Sequence, residues 1–371
     1  MAPTSSKPAR REWAPRVWEG CDFFTWLRLL ARNRFAVEPK YAYIAVIVTA
    51  VSFIQTMLRW LQLGLHGERI KRTRLPDAPI FVLGHWRTGT TLLHELLILD
   101  DRHASPTTLQ CFEPCHFLLS EGFITRYANF LLPDKRPMDN MAQGWARPQE
   151  DEFALALLGA PSTYTDFAFP KNPPLDPESL DLKGLTPRKL AVWKRTFYRF
   201  VQAIYYADQR RLVLKSPPHT ARVPVLLELF PKAKFVHLVR DPVTLFASTV
   251  NLWMSVAKKH GFQTPVHDDA LEAKVFREFR TIHESYEAAK RNIPAGNLIE
   301  VRYEEFVKDL VGNTRKIYES LGLGGFSEVL PKLEAYAARN KNYETNKYEI
   351  TEEQRAKIAE QWGDIIAAQG Y

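Results

Sequence analysis

Cysteine is scarce in this chain, and its number is odd. Only three cysteines occur among 371 residues, so a disulfide framework is not expected. Cys111 and Cys115 lack a second Cys or His pair at the spacing of a zinc site, and no N-x-S/T glycosylation site occurs. These absences favour a reducing compartment and disfavour a Golgi-type lumen. We therefore expect a cytoplasmic protein, either free or peripheral to or anchored at a membrane.

The composition also lacks the features of a disordered chain. Apolar residues make up 46% and charged residues 25% of the sequence, which are ordinary values for globular proteins. The net charge of +8 favours an anionic partner such as a nucleotide or an acidic membrane surface. We predict no nucleic-acid partner, and the composition leaves the oligomeric state open.

A lysine is missing from the most informative stretch, PIFVLGHWRTGTTLLHELL at 79–97. Its apolar start predicts a buried strand at 80–83, Gly84 to Gly89 predicts a turn, and the leucines from Thr90 onward have helical spacing. A strand, a glycine-bounded loop and a helix point backbone N–H groups at an anion. The G-x-x-x-x-G spacing is that of a nucleotide P-loop, but Thr90 stands where an NTPase has its lysine. The nearest cation is Arg87.

Strands and helices alternate along the rest of the chain. The further segments that we predict as strands are 211–214, 233–239 and 298–303. This alternation predicts an α/β fold, with a central parallel sheet flanked by helices. We expect one domain over 76–371, ending in a basic, Tyr-rich tail, and an N-terminal basic and hydrophobic helical region over 1–75.

The N-terminal region contains a long uncharged segment. Residues 41–58, YAYIAVIVTAVSFIQTML, carry no charge and reach the lower length limit of a transmembrane helix. Basic residues on both flanks give no clear orientation. Three placements stay open: a spanning helix, a helix lying on the membrane, and a helix packed on the domain. Aromatic and basic edges suit an interfacial helix, so a membrane surface is a candidate partner for residues 20–65.

A second anion site is predicted at Arg240. This arginine follows a strand and precedes a helix whose start is marked by Asp241 and Pro242, which is where open α/β sheets bind ligands. Ser248 lies nearly two turns along that helix and is placed to add a hydroxyl. An arginine that only caps a strand or pairs with Asp241 is the alternative. Two anion sites suggest a ligand with phosphates at two places.

Four segments in this order resemble sulfotransferases that use 3′-phosphoadenosine 5′-phosphosulfate (PAPS), over about residues 80–323. GHWRTGTTLLHELL is similar to their 5′-phosphosulfate loop, and FVHLVRDPVTLFAST to their 3′-phosphate segment. LKSPPH and VRYEEFV are similar to two further family segments. The RTGTT loop resembles the bacterial and tyrosylprotein-type enzymes more than the cytosolic phenol and steroid enzymes. The resemblance implies a P-loop-like sulfotransferase fold, to which the hydrophobic region within 1–75 is expected to add an N-terminal helical extension.

The resemblance also implies roles for individual residues. Arg240 and Ser248 would bind the 3′-phosphate, Tyr303 would touch the adenine, and Lys347 is a candidate to reach the phosphates. The residues implied to hold the 5′-phosphosulfate are Arg87, Thr88, Gly89, Thr90 and Thr91.

Sulfuryl transfer needs charge stabilisation and a base. By analogy with phosphoryl transfer the transition state is loose, and the moving group carries little enough charge for Arg87 and Lys215 to stabilise it without a metal. An acceptor hydroxyl needs a base. The resemblance to the tyrosylprotein-type enzymes implies Glu113 for this role, and resemblance to the cytosolic enzymes makes His219 the second candidate. The acidic run at 150–152 is the third, with a solvated helix start as its alternative. His94 is expected to serve in packing.

The predicted function is transfer of a sulfonate group from PAPS to a hydroxyl or amine. The acceptor is a small molecule, lipid or glycan, with a slight preference for a lipophilic or membrane-borne one. A P-loop NTPase or nucleotide kinase is the first alternative, although Thr90 and the absence of a Walker-B-type strand disfavour it. A non-catalytic, membrane-attached nucleotide-binding protein is the second.

Overall fold

Five parallel strands form the centre of the part of the chain that the structure describes. The structure is a computed structural model and describes residues 16–76, 78–127, 144–340 and 350–371. The strands are β1 (Ile80–Leu83), β2 (His103–Ala104), β3 (Arg211–Lys215), β4 (Lys234–Val239) and β5 (Leu298–Arg302). Their order across the sheet is β2-β3-β1-β4-β5. Val82 pairs with Lys215 and Leu83 with His237, so the carboxyl ends of β1, β3 and β4 lie side by side.

Helices connect and cover these strands. In chain order they are α1 (Phe23–Arg32), α2 (Ala42–Arg72), α3 (Thr90–Ile98), α4 (Thr108–Phe112), α5 (Phe117–Tyr127), α6 (Asp151–Leu157), α7 (Pro187–Ala207), α8 (Val223–Leu229), α9 (Pro242–His260), α10 (Asp269–Lys290), α11 (Tyr303–Phe306), α12 (Leu310–Ser320), α13 (Phe326–Arg339) and α14 (Glu352–Gln369). Short 3₁₀ turns occur at Val17–Gly20, Pro39–Tyr41, Thr163–Ala168, Pro177–Ser179 and Pro217–Arg222.

The sheet is buried on both faces. Successive side chains of a strand point to opposite faces, and β1 shows this division. Ile80 and Val82 pack with apolar residues of α3, α12 and α13, whereas Phe81 and Leu83 pack with those of α7 and α8. Four fully buried residues in a row explain why β1 reads as a continuous apolar run. The predicted α/β fold with a central parallel sheet is confirmed.

The N-terminal helices extend this fold. Trp18 and Trp26 are buried in a hydrophobic cluster that also contains residues of α9, α10 and α14. The uncharged segment is part of α2, which continues to Arg72 and is long and apolar enough to cross a membrane by length and composition. The predicted hydrophobic helical extension is therefore present. The division into 1–75 and 76–371 stays a prediction.

The C-terminus differs from the sequence prediction. We predicted a basic, Tyr-rich tail, but residues from Glu352 onward form α14. Thr351 and Gln354 form a capping box at its start. Trp362 is fully buried, with its ring centroid 4.2 Å from that of Phe279. The prediction of a tail was wrong for these residues because the apolar positions of α14 are widely spaced in a polar sequence.

Candidate active site

The loop between β1 and α3 is held in a conformation that only particular residues allow. Gly89 has a φ of +97°, and a Cβ atom there would lie 2.5 Å from the ring of Tyr303. Arg87 also has a positive φ, +71°, which is uncommon for a residue with a side chain. The hydroxyl of Thr220 accepts a hydrogen bond from the N–H of Gly84 at 2.7 Å. The start of the loop is therefore held by a side chain from the segment that follows the neighbouring strand β3.

The two predicted anion sites meet at this loop. Arg87 Nε donates a hydrogen bond to Ser248 Oγ at 2.9 Å, and Arg240 Nη1 donates one to the carbonyl oxygen of Arg87 at 2.9 Å. The guanidinium of Arg240 lies 4.3 Å from the ring centroid of Tyr303. Residues from three distant segments of the sequence thus form one cluster of two guanidinium groups, a hydroxyl and an aromatic ring.

Lys215 contacts α3, the helix that follows the loop. It is the last residue of β3, its side chain is only 2% exposed, and its Nζ lies 2.6 Å from Glu150 Oε1. The same Nζ lies 3.4 Å from Thr91 Oγ1, on α3. Thr91 belongs to the predicted sulfonate-binding loop. The structure therefore places Lys215 beside that loop.

Glu150 is held by groups that the sequence analysis did not connect with it. The hydroxyl of Tyr164 donates to Glu150 Oε2 and accepts from the indole N–H of Trp86, in the loop, at 3.0 Å. Burial, followed by the neighbouring Glu150 carboxylate, raises the pKa of Tyr164 well above its usual value. Tyr164 therefore stays protonated and acts as a hydrogen-bond donor to Glu150.

Glu150, Asp151 and Glu152 each bind a residue of the 215–222 segment. Lys215 pairs with the first, His219 Nε2 lies 2.8 Å from Asp151 Oδ2, and Arg222 Nη1 lies 2.5 Å from Glu152 Oε2. All three acidic residues are buried, so the alternative of a solvated helix start was wrong. Their pairing was missed because the two segments are about 65 residues apart.

His219 is enclosed by this pairing. Its side chain and that of Asp151 are fully buried, and the ring packs against Phe81 and Phe197. Burial alone would raise the pKa of Asp151, but His219, Ser216 and Arg222 outweigh it and lower that pKa. The structure thus gives His219 a position in which it braces the 215–222 segment.

Glu113 lies at the end of α4, next to α2. Its Oε2 accepts a hydrogen bond from Gln55 Nε2 at 2.6 Å and lies 3.3 Å from His116 Nε2. Glu113 and His219 both stay predictions as bases, but the structure makes Glu150 the carboxylate that contacts Lys215. His94 is buried with its Nε2 3.2 Å from the carbonyl oxygen of Val213, and Lys347 lies outside the described residues.

These residues fit an anionic nucleotide. The N-terminus of α3 supplies backbone N–H groups, Arg87 and Arg240 supply charge, and Tyr303 supplies a face for stacking. The close approach of Gly89 to Tyr303 leaves no room for a side chain between them. Among the residues that the structure describes, no group of three or more His, Cys, Asp or Glu side chains is placed to hold a metal ion.

Comparison with known proteins assigns this chain to a family. A family model described as "Sulfotransferase family" matches residues 79–328. The chain belongs to the sulfotransferase family. A curated relative from Mycobacterium tuberculosis, omega-hydroxy-beta-dihydromenaquinone-9 sulfotransferase Stf3, is 45% identical to this sulfotransferase over 369 residues, which are 99% of this chain and 95% of the relative. Its counterpart from Mycobacterium bovis is equally similar.

Solved structures support the fold. Sulfotransferase STF9 from Mycobacterium avium superposes with a TM-score of 0.68 at 19% identity, covering 98% of both chains. Sulfotransferase STF1 from Mycobacterium tuberculosis gives a TM-score of 0.62 at 18% identity, covering 93% of this chain and 94% of that chain. The predicted family, fold and enzyme class are confirmed, and the NTPase, kinase and non-catalytic alternatives are not supported.

Proposed function

We propose that this sulfotransferase transfers a sulfonate group from PAPS to a hydroxyl group of a lipophilic acceptor. The observation that carries the choice of donor is the cluster of Arg87, Arg240, Ser248 and Tyr303. PAPS differs from common adenine nucleotides by its 3′-phosphate, and the cluster offers two guanidinium groups and a hydroxyl beside an aromatic ring. Charged hydrogen bonds of this kind are among the strong ones in proteins.

The chemical step is assigned to Lys215 and Glu150. Sulfonate transfer breaks the bond between sulfur and the bridging oxygen of the donor while the acceptor oxygen bonds to sulfur, and the acceptor loses a proton. Lys215, held beside Thr91, is placed to stabilise the negative charge on the departing oxygen. Glu150, next to Lys215, is the carboxylate that we propose takes the acceptor proton.

The acceptor class follows from the similarity to Stf3. That relative is named for a menaquinone-derived acceptor with a terminal hydroxyl, and 45% identity over almost the whole chain supports a related acceptor here. We propose a long isoprenoid or similar lipid alcohol, reached by a cytoplasmic enzyme at a membrane surface. The reaction needs no metal in this proposal, because the cationic side chains supply the charge.

Thermal unfolding with three nucleotides tests the donor. The desulfated product, 3′-phosphoadenosine 5′-phosphate (PAP), should raise the free energy of unfolding by about 2.7 kcal/mol at a hundred times its dissociation constant. AMP, which lacks the 3′-phosphate, should stabilise much less. If ATP with Mg²⁺ stabilises the protein and PAP does not, the proposal is wrong.

Labelled PAPS tests the acceptor. An ω-hydroxylated menaquinone in detergent micelles should become sulfated, whereas the same quinone without the hydroxyl should not. A water-soluble phenol serves as the comparison for acceptor polarity. Faster transfer to the phenol than to the quinone alcohol would contradict a lipophilic acceptor and leave the choice of donor intact.

A further inference from the structure

The long helix α2 has its polar and apolar sides reversed relative to a helix of a soluble domain. The residues that face the protein include Ser52, Gln55, Thr56 and Gln62, all buried. The opposite side is apolar and exposed, with Phe53 59% and Trp60 63% exposed. A helix packed on a soluble domain normally shows the opposite arrangement.

The exposed apolar residues form one continuous stripe. They recur at intervals of three and four residues, which is the spacing of one helix face. They include Tyr43, Val46, Ala50, Phe53, Met57 and Trp60. From Tyr43 to Leu65 the stripe is about 33 Å long at 1.5 Å per residue. An exposed apolar surface of this extent marks an interaction site.

Hydrogen bonds along the buried side prevent α2 from crossing a bilayer. Trp26 Nε1 donates to Thr49 Oγ1 at 2.8 Å, the N–H of Leu118 donates to Gln62 Oε1 at 2.9 Å, and Gln202 Nε2 donates to the carbonyl oxygen of Thr73 at 2.9 Å. One side of α2 is therefore attached to the domain from near its beginning to its end. Only the other side is available to lipid.

A basic cleft lies at the end of the stripe. A cavity of about 880 Å³ is lined by Lys71 and Arg72 in the last turn of α2, by Arg74 just after it, and by Lys194, Arg195 and Arg199 of α7. Two carboxylates partly neutralise this charge, Glu68 on Lys71 and Glu228 on Lys194. Arg72 follows Leu65 by seven residues, so the two lie on the same side of α2.

We infer that α2 lies flat on an anionic lipid bilayer, with its apolar stripe among the acyl chains and the basic cleft beside the phosphate headgroups. Apolar burial and attraction to anionic lipid are the two contributions that hold interfacial helices, and each basic residue near such a surface adds to the attraction. The charge of the cleft favours this occupant over a second copy of the chain, whose own cleft would repel it. The inference does not depend on the identity of the acceptor.

Vesicle flotation of the full chain tests this arrangement. The protein should float with vesicles of phosphatidylcholine mixed with phosphatidylglycerol, and less with phosphatidylcholine alone. Phe53→Ser/Trp60→Ser removes two aromatic groups from the stripe and should lower binding to the mixed vesicles by roughly a hundredfold. The matched control, Val266→Ser/Val307→Ser, changes exposed apolar residues elsewhere and should bind as the unchanged protein does.

Reversing two charges of the basic cleft provides an independent test. Arg72→Glu/Arg195→Glu should weaken binding to the mixed vesicles by at least roughly tenfold, whereas Lys316→Glu/Arg339→Glu, on exposed residues of α12 and α13, should not. Stabilisation by PAP should be the same for every variant. This measurement separates binding to the membrane from binding of the donor. The inference is overturned if the unchanged protein fails to float, or if light scattering shows a dimer that Phe53→Ser/Trp60→Ser dissociates.

Discussion

Arg87 Nε and Ser248 Oγ are 2.9 Å apart, which joins the loop after β1 to the helix after β4. The family resemblance implies opposite ends of the donor for these two residues, the sulfonate for Arg87 and the 3′-phosphate for Ser248. Their direct hydrogen bond shows that the arginine side chain reaches the second site while its backbone stays in the first. We therefore propose that the loop contributes to both phosphate positions of the donor.

Replacing Ser248 should weaken binding of a 3′-phosphate selectively. A hydrogen bond to a charged group contributes about 1.5–3 kcal/mol, so Ser248→Ala should reduce PAP affinity by roughly 10- to 150-fold. Affinity for AMP should hardly change, because AMP has no 3′-phosphate. Calorimetric titration of both nucleotides measures the difference.

Thr244→Ala is the control for this experiment. Its hydroxyl lies on the same helix but is exposed and donates to the carbonyl oxygen of Asp241 at 2.9 Å. Its PAP affinity should equal that of the unchanged enzyme. An equal loss of PAP and AMP affinity in Ser248→Ala would show that Ser248 acts on loop structure rather than on the 3′-phosphate.

Two glycine-to-alanine substitutions compare the tightly packed loop with an open position in a helix. Gly89→Ala should destabilise the protein, since the left-handed backbone alone costs about 1–3 kcal/mol and the new Cβ would lie 2.5 Å from the Tyr303 ring. Gly363→Ala, in α14 with no atom within 4 Å of the new Cβ, should stabilise by about 0.5–1 kcal/mol. Denaturant unfolding of both variants measures these changes, and equal effects would contradict the tight packing of the loop.

The sequence predicted those parts of the fold that depend on local patterns. The apolar run at 80–83 is β1 with unchanged bounds. Asp241 caps α9 by accepting a hydrogen bond from the N–H of Val243, as its place before Pro242 indicated. The resemblance also selected Arg240, Ser248 and Tyr303, which the structure brings together with Arg87.

The remaining features depend on contacts between distant segments. Hydropathy showed that residues 41–58 are apolar, but it did not show which side of α2 faces the protein, because the answer depends on partners such as Glu113 for Gln55. The salt bridge between Glu150 and Lys215 likewise leaves no periodic pattern in the sequence from which it could be predicted. Three successive acidic residues after Gln149 were visible, and their partners at 215, 219 and 222 follow in the same order.

Buried histidines should make the protein sensitive to mild acid. Burial, with a further contribution from Lys215, lowers the pKa of His94 from 6.5 to about 3. The unfolded chain takes up this proton as the pH falls below about 6.5 while the folded protein does not, so folding stability decreases from pH 7 towards pH 5. This residue alone should contribute a loss of about 2 kcal/mol over that interval.

Comparison of pH profiles isolates this contribution. His94→Gln should lose about 2 kcal/mol less stability than the unchanged protein between pH 7 and pH 5, whatever its stability at pH 7. Carboxylates such as Glu300, whose pKa its His237 hydrogen bond lowers to about 2, lose their contribution as the pH falls below their ordinary pKa and do so in both proteins. Parallel profiles for the two proteins would contradict a neutral buried His94.

The identity of the base can be decided by two isosteric substitutions. Glu150→Gln keeps the shape of the side chain and its contact with Tyr164 but removes its ability to accept a proton, so kcat should fall by about 10²–10⁴-fold. PAP affinity should remain within a few fold, because Glu150 contacts Lys215 and Tyr164 rather than the cluster at Ser248. Glu113→Gln, at the contact between α4 and α2, should leave kcat close to that of the unchanged enzyme.

Single-turnover transfer from labelled PAPS to a quinone alcohol measures these rates, and titration with PAP checks donor binding in the same preparations. A large loss of kcat in Glu113→Gln, with Glu150→Gln near normal, would return the base to Glu113 and leave Glu150 as the partner that orients Lys215. Loss of PAP binding in Glu150→Gln would show that the carboxylate acts by holding Lys215 at the loop. A fall in kcat at unchanged PAP affinity is the result expected of a proton acceptor.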